Sequence, residues 1–575
     1  MQTKKITRRD FLKLSGSLAA ASALAACVPG EQSPVAIPLE AGGQSPVIEP
    51  EIQTTLPPVP MAILALNRLT FGIRPGDVDA FNALGSNESE RLQNFVAQQL
   101  NPEAMDDSEF ENRHARAGFE TLHKSHEQLY ADHIASNPYS SNDDAYWQWY
   151  SQPAYELVDE TVLRAVYSKK QLVEVLVDFW HNHFNVFFWQ DDGVPLLASY
   201  NRDALRKHML GNFRQMLEAV AKHPSMLYYL NQNNSSDAGP NENFARELFE
   251  LHTLGAENYL GVRDPNAVEK DSNNIAIGYV DNDVYEAARC FTGWRVDDDL
   301  GDWEDGVEKT GNFLYHKPWH DRFNKLVLGR YIPADQEDLK DGYDVLDLLA
   351  SHPGTARHIA RKLCRRFISD APPETVVQAA ASTFLQYKDA PDQLKHVMET
   401  ILLSAEFKAS WGGKVKRPFE AATSMMRTLN SDFTRPPGSL HWMLSLMGQR
   451  LFERRSPDGY PDTREAWATS MSLLYRWNLA VGLAENWLDD ETTGYTIRSD
   501  TFAQTPAEIR TASALADYWI QRILNQTLPE SSRNAIIAVM AQEYNWDEPL
   551  TEEHVRYVLP AMIEVILMSP DFQWR

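Results

Sequence analysis

The sequence predicts a mainly α fold, a large multi-helix globular body with long irregular loops and little sheet. Three observations carry this expectation. Apolar residues recur with a period of 3.6 along most of the chain after Met61. Almost no stretch alternates with period 2. Pro and Gly punctuate the periodic segments at His223-Pro224, His352-Pro353, Pro372-Pro373 and Pro436-Pro437-Gly438. Of the 575 residues, 43% are hydrophobic and 11% aromatic, including 15 Trp, enough to fill a large core. The formal net charge of −26 argues against nucleic acid or an anionic membrane surface as the main partner. Three Cys exclude a disulfide scaffold and a four-Cys zinc site.

Residues 1–27 read as an address. Thr7-Arg8-Arg9-Asp10-Phe11-Leu12-Lys13 is a twin-arginine export signal, followed by a weakly apolar run too short to span a bilayer. Leu24-Ala25-Ala26-Cys27 has the spacing of a bacterial lipobox, in which the Cys27 thiol accepts lipid after cleavage. The expected location is therefore the cell envelope, as a membrane-anchored lipoprotein facing the periplasm or the exterior. Its partners would be the twin-arginine export machinery, the membrane through the lipid, and a protein partner if the chain is an assembly module. Residues 28–60 hold eight prolines and no Lys or Arg, the composition of an extended, flexible linker. Two cysteines remain in the body, Cys290 and Cys364; the sequence leaves their pairing open.

The body is expected over 61–575. Period-3.6 patterns predict helices at 61–69, 88–99, 156–183, 202–221, 241–254 and 283–292, then at 342–350, 354–368, 374–386, 392–404 and 415–429. Four more follow at 463–486, 505–524, 532–543 and 551–568. Between them, 293–331 is long, aromatic and irregular, and reads as an ordered surface or site loop.

Two of these helices carry polar groups that need partners. In 241–255, Phe244, Leu248 and Leu251 mark the apolar face, while Glu242, Arg246 and Glu250 form an opposite i, i+4, i+8 ladder. On an ideal helix Glu247, His252 and Asn241 point toward the core, where a carboxylate is costly unless paired, hydrogen-bonded or metal-bound. In 171–188, Glu174, Asp178, His181 and Asn182 share one narrow stripe of an otherwise apolar helix, and Asp-x-x-His at i, i+3 is a way helical bundles present metal ligands. His183 lies on the other side and joins His181 only if the helix ends or bends between them. A third cluster, Trp319-His320-Asp321 with Lys325, fits either a catalytic dyad or a loop anchored by aromatics. No phosphate loop, GxGxxG after a strand, HExxH, CxxCH or GxSxG elbow is present.

The stretches Leu66-Asn67-Arg68-Leu69-Thr70-Phe71-Gly72, DFWHNHFNV (178–186), HPSMLYYLNQNNS (223–235) and NENFARELFELHTLG (241–255) are joined by the segment around 287–294 and by His320-Asp321 through Gly329. HPGTARHIARKLCRRF (352–367) and MGQRLF (447–452) complete the series. In this order and spacing they resemble the bacterial family catalogued as domain of unknown function 1800. The resemblance implies a largely helical, extracytoplasmic protein and no particular activity. After MGQRLF the family's Pro-rich, Trp-containing stretch is replaced here by ERRSPDGYPDTREAW.

Two readings of function follow. In the first, the protein is a metal-dependent hydrolase or oxidoreductase. His181, Glu247 and His252 would be ligands, with Asp178 or His183 as a fourth; such a set suits zinc or non-haem iron. Asn241, Arg246, His320 and Asp321 would bind substrate. In the second, the chain is a non-enzymatic envelope binding or assembly protein, consistent with its acidic charge and proline tether.

Overall fold

The computed structural model describes residues 56, 58–136, 138–139, 144–190, 193–298 and 309–575. Contacts divide the chain into Met1–Ile48 and Glu49–Arg575, and every described residue belongs to the second unit. The export signal, Cys27 and most of the expected linker lie outside the described residues.

The first described helix, α1 (Met61–Leu69), follows Pro60, whose fixed φ of −54° suits a helix start. It is buried nearly all round, Arg68 included; the Arg68 guanidinium donates to the Ser410 carbonyl at 2.5 Å. The run expected as one helix over 156–183 is two: α2 (Asp144–Tyr167) and α3 (Gln171–His183). No Pro or Gly marks the break. It is held from outside by Asp107, which accepts from Ser168 Oγ at 2.8 Å and Lys169 N at 2.7 Å, and by Gln171, whose amide donates to the Ser168 carbonyl at 2.8 Å. Tertiary hydrogen bonds thus override a continuous periodic pattern.

The 241–254 segment is helical as expected but changes its winding. Regular α4 (Glu242–Glu247) passes into a π-type turn over Leu248–His252. The wider turn rotates everything after Glu247 relative to an ideal helix. Phe249 is therefore buried, and Leu251, expected on the apolar face, is only half-buried. Similarly, 202–221 is a π-type turn at Tyr200–Arg206 followed by a helix at Phe213–Lys222. Helix α5 (Asp281–Cys290) leads into the irregular 293–331 region, which contains the four strands found among the described residues. Strand β1 (Trp294–Val296) pairs antiparallel with β2 (Phe313–Tyr315), and β3 (Lys325–Val327) with β4 (Arg330–Ile332). The second hairpin turns on Leu328 and Gly329, both at positive φ, the geometry that matches strand twist.

The C-terminal half is built from α6 (Pro353–Phe367), α7 (Pro418–Thr428), α8 (Gly438–Leu446), α9 (Ser470–Ala484) and α10 (Glu552–Met568), with further helices between them. Helix α8 was not expected from the sequence. The final residues are stapled inward: Lys416 N donates to the Gln573 carbonyl at 2.9 Å and Arg575 Nη2 to the Arg68 carbonyl at 2.6 Å. One continuous apolar core runs from α1 to α10. Among the described residues, no helix is long and apolar enough to cross a membrane.

Candidate functional site

The polar stripe of α3 is neither solvated nor convergent on one ion; each member has its own partner. Glu174 makes a two-point pair with Arg206 at 2.8 and 2.7 Å. Asp178 pairs with Arg366 at 3.3 Å and with Arg417, in a buried network where Glu420 also accepts from Arg366, Arg417 and Arg575. Three guanidinium groups hold Glu420 well below the usual carboxylate range, against the opposing effect of burial. Asn182 grips the 453–463 loop twice: its amide donates to the Tyr460 carbonyl at 2.8 Å and accepts from Tyr460 N at 2.6 Å. Asn185 adds bonds to the Arg454 and Ser456 carbonyls at 2.8 and 2.9 Å. Gly459 is required in this loop, since at φ 73° a Cβ would fall 2.1 Å from the Asn182 carbonyl oxygen.

The two histidines of α3 face different ways because the helix stays regular up to its end at His183. His181 is buried against Phe452, with ring centroids 4.3 Å apart, and its Nδ1 lies 3.2 Å from the Asn201 amide. Burial pushes its pKa down to about 3. His183 turns toward the π-type turn that follows α4, and its Nε2 lies 3.2 Å from the His252 carbonyl. A carbonyl only accepts, so Nε2 carries the proton and Nδ1 is a bare lone pair. Among the described residues that Nδ1 has no hydrogen-bond partner, nor does Nε2 of the buried His252. Burial, aided by the Lys362 charge, pushes His252 down to about 3 and His183 well below its ordinary value.

Helix α6 supplies the third side. His358, Lys362 and Arg366 stand at i, i+4 and i+8 and so share one face. His358 lies with its ring 6.3 Å from that of His183, and its Nδ1 is 3.1 Å from Glu257 Oε1. Gly255, at φ 87°, makes room: a Cβ there would sit 2.4 Å from His358 Nδ1. Lys362 is half-buried and forms no hydrogen bond or ion pair among the described residues. Burial, with Arg365 adding to it, lowers its pKa to about 8. The node is thus a half-buried lysine beside two neutral imidazoles with unsatisfied nitrogens, walled by Phe179, Trp180 and Phe184.

Other residues singled out by the sequence sit elsewhere. Glu247 is half-buried and unpaired among the described residues; burial raises its pKa, and Asp458 acts electrostatically on both Glu247 and Lys362. Asn241 is the N-cap of α4, accepting from Asn243 N and Phe244 N while donating to the Leu230 carbonyl at 2.7 Å. Arg246 pairs with Asp281 at 3.3 Å, not with its expected helix neighbours. His320 lies between the Thr292 carbonyl and Asp341, and Asp321 makes a two-point pair with Arg289 at 2.7 and 3.1 Å. Lys325, fully buried, reaches Asp341 at 2.5 Å. This is a closed ionic frame for the hairpin region. Among the described residues, no group of three or more His, Cys, Asp or Glu has the arrangement to hold a metal ion. Cys290 and Cys364 are buried free thiols.

A family model described as protein of unknown function (DUF1800) matches residues 64–574, nearly the whole body. The chain belongs to this family. A twin-arginine translocation signal model matches residues 5–25, so the protein is exported by that pathway and handled by its machinery. No curated protein and no solved structure matches the chain. The node therefore has to be read from its own chemistry. Its sequence signals were the i, i+4 spacing of His358 and Lys362 and the end of α3 at His183.

Proposed function

We propose that this exported protein is an enzyme whose reaction centre is the His183–His252–Lys362 node, working by acid–base chemistry in a hydrolytic reaction. The observation that carries the reading is the meeting of an unpaired lysine with two buried imidazole nitrogens that lack partners. Leaving such a group unsatisfied costs about 1–3 kcal/mol, and a bound substrate would remove that cost. In this reading Lys362 binds a negatively charged or polarised carbonyl group, and the bare His183 Nδ1 accepts a proton from the attacking water. The aromatic wall keeps the local dielectric low and strengthens both interactions. Lys362→Met and His183→Asn should each abolish turnover of the ester or phosphoester that a screen with chromogenic substrates identifies. A soluble, folded protein inactive in that whole screen, or active in both variants, would defeat the proposal.

A metal-dependent form of the same centre is favoured by one observation: His183 Nδ1 and His252 Nε2 both lack a hydrogen-bond partner among the described residues, on rings whose centroids are 6.2 Å apart. Two nitrogens sharing a tetrahedral ion at bonds of about 2.0–2.1 Å stand about 3.4 Å apart, so binding would draw the two rings closer together. Zinc or non-haem iron would suit it, with water or substrate completing the shell, and Lys362 would have to give up its proton. Elemental analysis of protein purified after native export decides this form: a stoichiometric metal lost in His252→Gln supports it, and metal-free active protein rejects it. We also propose that Cys27 carries the lipid that holds the protein to the membrane. Cys27→Ser should release the body from the membrane fraction, and unchanged attachment would count against the anchor.

A further inference from the structure

A second site lies open on the surface, in a region where the sequence singled out no site residue. Helix α2 presents Tyr155 and Asp159 at i, i+4, and α8 presents His441 and Trp442 beside them. The 490–495 turn closes the far side with Tyr495. Together they bound a cleft of about 510 Å³, within the range of about 300–1,000 Å³ typical of small-molecule sites.

The cations in this cleft are already paired. Asp159 accepts from His441 Nε2 at 2.8 Å and from Arg435 at 2.9 Å. The Arg435 guanidinium also lies over Phe119 at 4.7 Å and Tyr495 at 5.4 Å. Arg450 pairs with Glu453 at 2.9 Å. The carboxylate of Asp490 takes backbone N–H groups at Thr492 (2.9 Å) and Gly438 (3.4 Å), so it also fills the N-terminus of α8. Among the described residues of the cleft both guanidinium groups are paired with carboxylates, so no free cation is left to bind an anionic ligand.

What the cleft does offer is aromatic surface and hydroxyl-sized hydrogen-bond partners. Trp442 is 59% exposed and Tyr155 38% exposed. Tyr155 is braced from behind by Phe188 and Trp189, with centroids at 5.1 and 6.0 Å. His441 donates Nε2–H to Asp159, so in the neutral ring Nδ1 is an acceptor. Flat, exposed rings beside hydrogen-bond acceptors and paired cations suit a ligand with an apolar face and a rim of hydroxyls. A nucleotide or an acidic peptide would bring charge that finds no counter-ion here.

We infer that the cleft between α2, α8 and the 490–495 turn binds a neutral saccharide, with a pyranose ring stacked on Trp442 and its hydroxyls directed to His441 and the Asp490–Tyr495 turn. The inference does not depend on the chemistry proposed for the His183 node. The test is calorimetric titration of the mature, exported protein with malto-, cello- and chito-tetraose. At least one should bind saturably, with an affinity little changed between low and high salt. Trp442→Ala should weaken that binding about tenfold or more, as expected for removal of a central aromatic anchor. Because Trp442 is exposed, its thermal midpoint should stay that of the parent. His441→Gln is the second variant, and should also weaken binding. The inference is overturned if none of the three saccharides binds, if binding survives both variants, or if the cleft takes an anionic ligand in a salt-sensitive manner.

Discussion

Replacing Lys362 by Met should make the protein more stable while removing its proposed activity. Met has similar length, no branch and no charge, so it fills the same path without needing a partner. The magnitude comes from the lysine's environment. Its pKa falls from 10.5 to about 8. At 1.36 kcal/mol per pH unit of displacement, holding the ammonium in place costs about 3 kcal/mol. The sign is that of a depressed group: its contribution to stability is present above 10.5 and is lost as pH falls through 8, where the folded protein must take up the proton. The parent should therefore trail Lys362→Met by about 3 kcal/mol at pH 7, and the gap should close toward pH 10.5. Guanidinium denaturation midpoints for both proteins across pH 7–10.5 measure this directly. A variant that is less stable at pH 7, or a gap independent of pH, would show that Lys362 has a counter-ion and is not strained by burial. Lys362 would then be a satisfied structural lysine and not the unpaired cation of the node.

Glu564, in α10, is a buried carboxyl whose Oε1 has no partner among the described residues, and burial raises its pKa from 4.5 to about 8. Its stabilising contribution is complete below pH 4.5 and is lost as pH rises through 8, so Glu564→Gln should be more stable by about 3 kcal/mol at pH 7 and equal to the parent near pH 4; denaturation at the two pH values checks both ends. Gly459→Ala should push the 453–463 loop off the end of α3 and break the two Asn182–Tyr460 bonds, costing about 2 kcal/mol at about 1 kcal/mol per bond. Faster hydrogen exchange confined to this loop, with the remaining helices protected as before, is the expected readout, and unchanged exchange would contradict it.

Most of the helical body was legible in the sequence because its signal is periodic and local. Helices over Met61–Leu69, Glu88–Gln99, Glu374–Gln386 and Glu552–Met568 follow the apolar pattern almost residue for residue. Where the reading erred, a distant group had decided the local structure. The break between α2 and α3 depends on Asp107, and the register of 248–252 on a π-type turn that no wheel of fixed 100° steps contains. Helix α8 was not expected because Pro436-Pro437-Gly438 reads as punctuation and the helix, which starts at Gly438, is only nine residues long. It is also the helix that builds the open cleft with its His441 and Trp442.

The site was legible in part, and the reason lies in how charges are neutralised. A helical wheel shows that Glu174, Asp178, His181 and Asn182 need partners, but not which ones. The partners come from Arg206, Arg366 and Arg417, Asn201 and Tyr460, each far away in the chain. Once those pairs form, the carboxylates of α3 are satisfied, and among the described residues the groups that still lack a hydrogen-bond partner include His183 Nδ1, His252 Nε2 and Lys362, with His181 Nε2 as a further one on α3 itself. That ordering bears on function. A carboxylate held by two or three guanidinium groups is costly to disturb, about 3–5 kcal/mol for a broken buried pair, so the Asp178–Glu420 network serves as a rigid frame. Lys362 stands one turn from Arg366 on the same helix, and its position is fixed by that frame without being neutralised by it. A cation held rigidly, half-dry and unpaired beside a bare imidazole nitrogen is the arrangement that a substrate's own charge would complete.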